Sequence, residues 1–417
     1  MNEFSLLFLF FLFLTSATQL WLSRRQQGHV AAHRSRVPEA FSEMISIEQH
    51  QKAADYTVTK LRFGRVELFT GLVLLLLLTL GGGLDWANSY LSALGYTQLV
   101  TGTLVIVAVS LFISIVDIPS ALYRTFVIEK RFGFNKSTMG TFWLDRLKGL
   151  MLSLLIGVPL IMTVLWVMQT LGDYWWIAAW ATLTGVSLFL AWIFPQFLAP
   201  LFNRFEPLEE GEVAERVKSL LSKTGFKSNG VYVMDGSRRS GHGNAYFTGF
   251  GKNKRIVFYD TLLKQLSAEQ VEAVLAHELG HYKKRHVIKG IILSTAMSFT
   301  GFAVLAWIMK NTWFYTGLGV EQPSTYMALI LFVLISPAFT YFLSPIFSWV
   351  SRRHEFEADA FAADQSGSRH LITGLITLYR ENASTLTPDA LHSAFYDSHP
   401  PASIRIRHLE EVHKAAV

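Results

Sequence analysis

Seven apolar runs, each near the length that crosses a bilayer, decide what this chain can fold into. A spanning helix takes about 20 predominantly apolar residues, and stretches 4–23, 67–84, 100–122, 149–170, 175–198, 287–309 and 325–348 meet that need. Composition agrees: 51% of the 417 residues are hydrophobic and 16% are charged, whereas soluble domains carry about a quarter charged residues. A plain soluble enzyme is excluded. The first run could be a secretory signal, but no Lys or Arg precedes its long apolar core, which favours a retained helix.

Loop charge sets the expected orientation. Loop 24–66 carries eight basic residues (Arg24, Arg25, Arg34, Arg36, Lys52, Lys60, Arg62 and Arg65), and loop 123–148 carries six (Arg124, Lys130, Arg131, Lys136, Arg146 and Lys148). The alternate segments 85–99, 171–174 and 310–324 hold only Lys310. Basic loops stay in the cytoplasm. The N-terminus is therefore expected outside, and the polar stretches 199–286 and 349–417 inside together. Trp86, Tyr90, Tyr174, Trp175, Trp176, Trp313 and Tyr315 gather at the outward helix ends, as in a headgroup belt. The net charge of +6 thus reports topology and attraction to membrane lipid. No nucleic-acid motif and no internal repeat is present, so nucleic acid is not an expected partner.

The chain divides into 1–198, five spans with basic loops; 199–286, a cytoplasmic segment; 287–348, two further spans; and 349–417, a second cytoplasmic segment. In the first cytoplasmic segment, 207–224 has the apolar spacing of an amphipathic helix, and about 244–260 reads as a β-hairpin around a Gly- and Lys-rich turn. SAEQVEAVLAHELGHYKKRH then opens on a Ser267–Gln270 capping box. With no Gly or Pro from Tyr282 until Gly290, this helix is expected to run unbroken into the sixth span.

Within it, His277-Glu278-Leu279-Gly280-His281 is an H-E-x-x-H motif. Spacing of i and i+4 puts both imidazoles on one helix face, where they can bind a single Zn²⁺, with Glu278 beside them to take a proton from water. The plain alternative is a surface helix with ordinary histidines. Glycine at 280, costly in a helix interior, suggests that another segment approaches closely. With no cysteine in the chain, disulfides, thiolate zinc sites and a cysteine nucleophile are excluded. A third ligand must be His, Glu or Asp. Just past the seventh span, Glu355 and Asp359 are i, i+4, so one carboxylate can reach the metal while the other holds a ligand histidine. His354 competes as a ligand, but it points about 100° away from Glu355. A solvated helix face with ordinary charge pairs also fits this spacing.

HELGH, the later SRRHEFEAD segment and the hairpin HGNAYFTGFGKNKRIVFYDTLL, set between seven spans, resemble the type I CAAX prenyl endoprotease family. The likeness runs from IEKRFGFNK at 128–136 to SHPPASIRI at 398–406. It implies a mainly α fold, a seven-helix membrane bundle with a cytoplasmic α+β metalloprotease domain. The implied activity is zinc-dependent cleavage near the C-terminus of isoprenylated or related membrane-associated proteins. By the same resemblance His277, His281 and Glu355 are the ligands of one Zn²⁺, and Glu278 is the general base. Asp359 holds a ligand, Asn244 and Ala245 bind substrate backbone, and His399 and Arg405 donate to the developing oxyanion or substrate carbonyl. Asp117, in the apolar run VDIPSA, is a candidate for lining an intramembrane space or for a structural role beside Pro119. Two other functions compete: a membrane quality-control metalloprotease without lipid specificity, and a seven-span transporter or receptor in which H-E-x-x-H is incidental. The expected location is a bacterial inner membrane, or the endoplasmic reticulum membrane if the source is eukaryotic.

Overall fold

A computed structural model describes residues 1–249 and 254–416, and the chain is mainly helical. The turn of the expected hairpin at 250–253 lies outside the described residues. Helix α1 (Glu3–Ala32) starts at a capping box in which the Asn2 side chain accepts from the Ser5 N–H. Helix α2 (Ile47–Leu78) starts the same way at Ser46 and Gln49. The run expected at 67–84 takes in the far half of this 32-residue helix, to Leu78, and then the break and the start of the next helix. Helix α2 breaks at Thr79, where Gly82 adopts φ 75°, and the chain bends by 49° into α3 (Gly83–Ser92). Helices α4 (Gln98–Tyr123), α5 (Met139–Thr170) and α6 (Trp175–Ile193) follow, α4 and α6 each ending in a wider π-type turn.

The polar elements come next. They are β1 (Phe205–Pro207), α7 (Glu212–Thr224), β2 (Val231–Met234), β3 (Ala245–Thr248), β4 (Arg255–Tyr259), α8 (Asp260–Gln265) and α9 (Ala268–Lys283). Helix α10 (His286–Ile308), the short α11 (Thr312–Thr316) and α12 (Thr325–Thr340) return to the apolar region. Helix α13 (Ser344–Ser366) leads out of it to α14 (Ser368–Glu381), α15 (Ala390–Tyr396) and α16 (Ala402–Ala416). Among the described residues six helices are long and apolar enough to cross a membrane, or seven when α2 and α3 form one span.

Two expectations are corrected. Residues 207–224 are not one helix: Phe205–Pro207 pairs with β2, and α7 begins only at Glu212, after Gly211. The H-E-x-x-H helix does not run into the sixth span either. It stops at Lys283, and Arg285 takes the left-handed conformation (φ 57°) before α10 begins.

Two large cores organise the molecule. One joins Phe8 and Leu12 of α1, Val105 and Val109 of α4, Leu165 of α5 and Leu331 of α12. Within it the buried Thr15 hydroxyl donates to the Ala338 carbonyl at 2.9 Å, tying α1 to α12. The other packs Val217 and Leu220 of α7, Ile256 and Phe258 of β4 and Val271 and Leu275 of α9 against Ala362, Leu371 and Leu409. The two polar stretches therefore share one core. The loop after α1 joins the same region through Phe41 and Ile45, which pack on Ile376, Leu386 and Ile406. The sheet order is β1-β2-β4-β3, with β2 and β4 parallel and the other pairs antiparallel, so β3 is an edge strand among the described residues. Asp117 is exposed and pairs with Arg146 at 3.7 Å, linking α4 to α5.

Candidate metal centre

The Ser267–Gln270 capping box forms as the sequence predicts and sets the start of α9. One turn of helix then brings the His277 and His281 rings together, their Nε2 atoms 3.1 Å apart. Helix α13 crosses α9 at Gly280. A Cβ on that residue would lie 2.9 Å from Ala358 Cα and 3.0 Å from its carbonyl oxygen, so the glycine is what allows the contact. On α13, residues 355, 358 and 359 share one face (i, i+3, i+4), and that face meets α9. The Glu355 carboxylate lies 3.4 Å from His277 Nε2 through Oε2 and 3.3 Å from His281 Nε2 through Oε1.

This donor set fits a metal ion. His277 Nδ1 is 2.8 Å from Asp359 Oδ1 and donates to it, leaving an Nε2 lone pair aimed at the same point as His281 and Glu355. Buried Glu355 Oε2 has no hydrogen-bond partner. Ligands held about 2.0–2.1 Å from zinc in a tetrahedron lie about 3.3 Å from one another, and the three separations here are 3.1, 3.3 and 3.4 Å. Two imidazoles and a carboxylate so close, with an orphan oxygen, make a three-ligand cradle for a divalent cation.

Arg405 is buried behind the cradle. Its Nε and a terminal nitrogen reach Asp359 at 2.8 and 2.5 Å, and its other terminal nitrogen is 3.5 Å from Glu355 Oε2. Two parallel bonds to one carboxylate fix the guanidinium plane. Through Asp359 this fixes the His277 ring as well. His399 lies at the rim, its Nε2 3.4 Å from Glu355 Oε1 and its Nδ1 3.0 Å from the Ser398 hydroxyl. Burial holds the Glu278 carboxyl above the ordinary carboxylate range, against the pull of His277 and His281.

Asn244, Ala245, His277, Glu278, His399 and Arg405 all line one cavity of about 180 Å³. A neighbouring space of about 430 Å³ shares Asn382, His399 and Arg405 with it. Asn244 precedes β3; its carbonyl accepts from the Tyr259 N–H at 3.0 Å, and its side-chain oxygen accepts from the Ala245 N–H at 2.9 Å. Six of the nine residues singled out from sequence thus line one cavity, and His281, Glu355 and Asp359 adjoin it through their contacts with His277.

His354 does not join the cradle. Its ring stacks on His286 at 4.0 Å. His286 itself escapes sequence reasoning, because an unbroken helix would aim it elsewhere. Its Nδ1 is 3.0 Å from His281 Nδ1 and its Nε2 is 3.1 Å from Glu357 Oε2.

Comparison with known proteins matches both halves of the chain. Residues 26–204 match the model of the CAAX prenyl protease N-terminal region, five membrane helices, and residues 207–413 match peptidase family M48. The chain is 35% identical over 382 residues to the CAAX prenyl protease 1 homolog of Arabidopsis thaliana, covering 90% of each. To CAAX prenyl protease 1 of Saccharomyces cerevisiae it is 36% identical over 316 residues, covering 72% of this chain and 70% of the yeast one. The crystal structure of S. mikatae Ste24p superposes with a TM-score of 0.91 at 29% identity, over 98% of this chain and 99% of that one.

Proposed function

The chain belongs to peptidase family M48, among its CAAX prenyl proteases, and on that premise we propose that His277, His281 and Glu355 hold one catalytic Zn²⁺ per chain. It is a multi-span membrane metalloendopeptidase, acting on peptide or protein substrates. We assign it C-terminal, CAAX-type substrates. A lipid tail on the substrate is supported by the position of the cradle: α10, a candidate span, begins at His286, just past ligand His281.

Activation of water and polarisation of the scissile carbonyl are the chemistry that a zinc held there supplies. Glu278 takes the proton from the attacking water and returns it to the leaving amine. Its raised carboxyl pKa suits both steps. His399, at the cavity rim, donates to the oxyanion as it forms. Arg405 spends its donors on Asp359 and reaches Glu355. That supports a positioning role beside the donor role implied by the resemblance. An extended substrate adds to the β3 edge, with Asn244 and Ala245 at the cavity end of the strand. Loop charge supports a cytoplasmic site.

One observation carries the reading: three ligand atoms converge at zinc-compatible separations, and His277 among them lines the cavity that Glu278 also lines. The Glu278→Gln protein should bind zinc as the wild type does and fail to release the C-terminal fragment of a farnesylated peptide. Wild-type turnover by that variant would remove Glu278 from the mechanism.

A further inference from the structure

Helix α13 presents two neighbouring faces to the H-E-x-x-H region. Residues 355, 358 and 359 meet α9, as described. Residues 354 and 357, three apart, meet His286: the His354 ring stacks on it at 4.0 Å with the planes 11° apart, and Glu357 Oε2 lies 3.1 Å from its Nε2. Lys289, on α10, is 3.8 Å from the same Glu357 oxygen. His286 is 6% exposed, so its two ring nitrogens depend on these neighbours.

The backbone is shaped to bring His286 there. In an unbroken helix a residue five positions on lies about 140° around the axis from His281. Arg285 instead adopts φ 57°, the conformation that non-glycine residues rarely take, and restarts the chain as α10. The result is a 3.0 Å contact between His281 Nδ1 and His286 Nδ1.

Two facing Nδ1 atoms share one proton, since in neutral imidazole one ring nitrogen donates and the other accepts. The direction is decided by the metal. His281 can present an Nε2 lone pair only if its proton sits on Nδ1, so His281 donates and His286 Nδ1 accepts. His286 must then carry its proton on Nε2, where Glu357 accepts it. The reverse direction would put a hydrogen on His281 Nε2, facing His277 Nε2 at 3.1 Å.

We propose that His286 is a positioning residue, which with Glu357 holds His281 in its metal-binding tautomer and orientation. The inference rests on the metal-site reading above. The two ligand histidines are then backed differently: His277 directly by the Asp359 carboxylate, His281 through a neutral histidine to a half-exposed carboxylate.

The test is zinc affinity of the purified full chain, read by competition with a chromophoric chelator. Partners behind a metal-ligating histidine typically contribute about 10- to 100-fold to metal affinity. His286→Ala should lose affinity in that range. His286→Asn should retain most of it, because its amide can accept from His281 and donate to Glu357. Glu357→Ala should weaken binding, while Glu357→Gln, whose amide oxygen still accepts, should stay near wild type. Unchanged affinity in His286→Ala, or equal loss in the Ala and Asn variants, would overturn the proposal. If His286→Ala does not fold, the Glu357 pair decides, and wild-type affinity in Glu357→Ala would overturn it. A wild-type chain that binds no zinc would sink the metal site itself; a zinc-binding wild type with unaffected variants would sink only the relay.

Discussion

A methyl group added at residue 280 would meet the Ala358 backbone at 2.9 Å, closer than Cβ atoms pack in folded proteins. Two effects oppose each other in Gly280→Ala. Helix propensity favours alanine by about 1 kcal/mol, while overpacking costs about 1–3 kcal/mol. The obstacle here is backbone, which cannot swing aside, so overpacking should win. The variant should unfold at lower temperature and hold less zinc, because α13 carries Glu355; a raised melting temperature with full zinc content would contradict this. Gly280 was legible in the sequence, since a glycine inside a helix asks for a neighbour. His277, Glu278 and His281 were legible because their spacing has a chemical meaning. Arg405 and His399 were not: a lone arginine in a helix and a lone histidine in a Pro-bounded loop carry no local signal, and only the resemblance named them. That Arg405 is buried against Asp359 is a tertiary fact.

Elements were read more securely than their ends. The spans, the α9 cap and the paired strands of the hairpin follow from periodicity and capping chemistry, which are local. The break at Arg285 was missed because nothing in KKRH forbids a helix; a non-glycine residue in the left-handed region is held there by its surroundings. Strand β1 was missed because three residues carry no period, and it exists through its pairing with β2. The edge strand makes a prediction at this scale. Asn244 turns its carbonyl to Tyr259, so by antiparallel alternation Ala245 and Phe247 turn their backbone groups to the open edge. Phe247→Pro should therefore raise KM for peptide substrates more than Phe247→Ala, which loses side-chain packing, including the ring contact with Phe226, but keeps the backbone N–H. Equal KM values would argue against strand addition at β3.

Across the whole molecule, the polar stretches on either side of the last two spans share one core, and the basic loops pack beside it on Ile376, Ala383, Leu386 and Ile406 of the second stretch. Those loops were legible as topology signals, yet Phe41, Ile45, Phe132 and Phe134 also build the polar half, a role that charge counting does not reveal. A bacterial inner membrane is the first of the two locations expected above, and the relatives compared come from plant and yeast. Orientation is open to a clean test because the chain has no cysteine. Gln322→Cys, between α11 and α12, should react with a membrane-impermeant maleimide added outside intact cells. Ser222→Cys, on α7, should react only after permeabilisation. The opposite pattern would invert the topology.

The central claim is that two helices deliver three ligands to one ion. Anomalous scattering at the zinc absorption edge, from crystals of the purified chain, tests it most directly. One peak per chain, bounded by His277 Nε2, His281 Nε2 and the Glu355 carboxylate, is the predicted result; a zinc peak elsewhere, or none at this cradle in zinc-replete protein, would contradict the account.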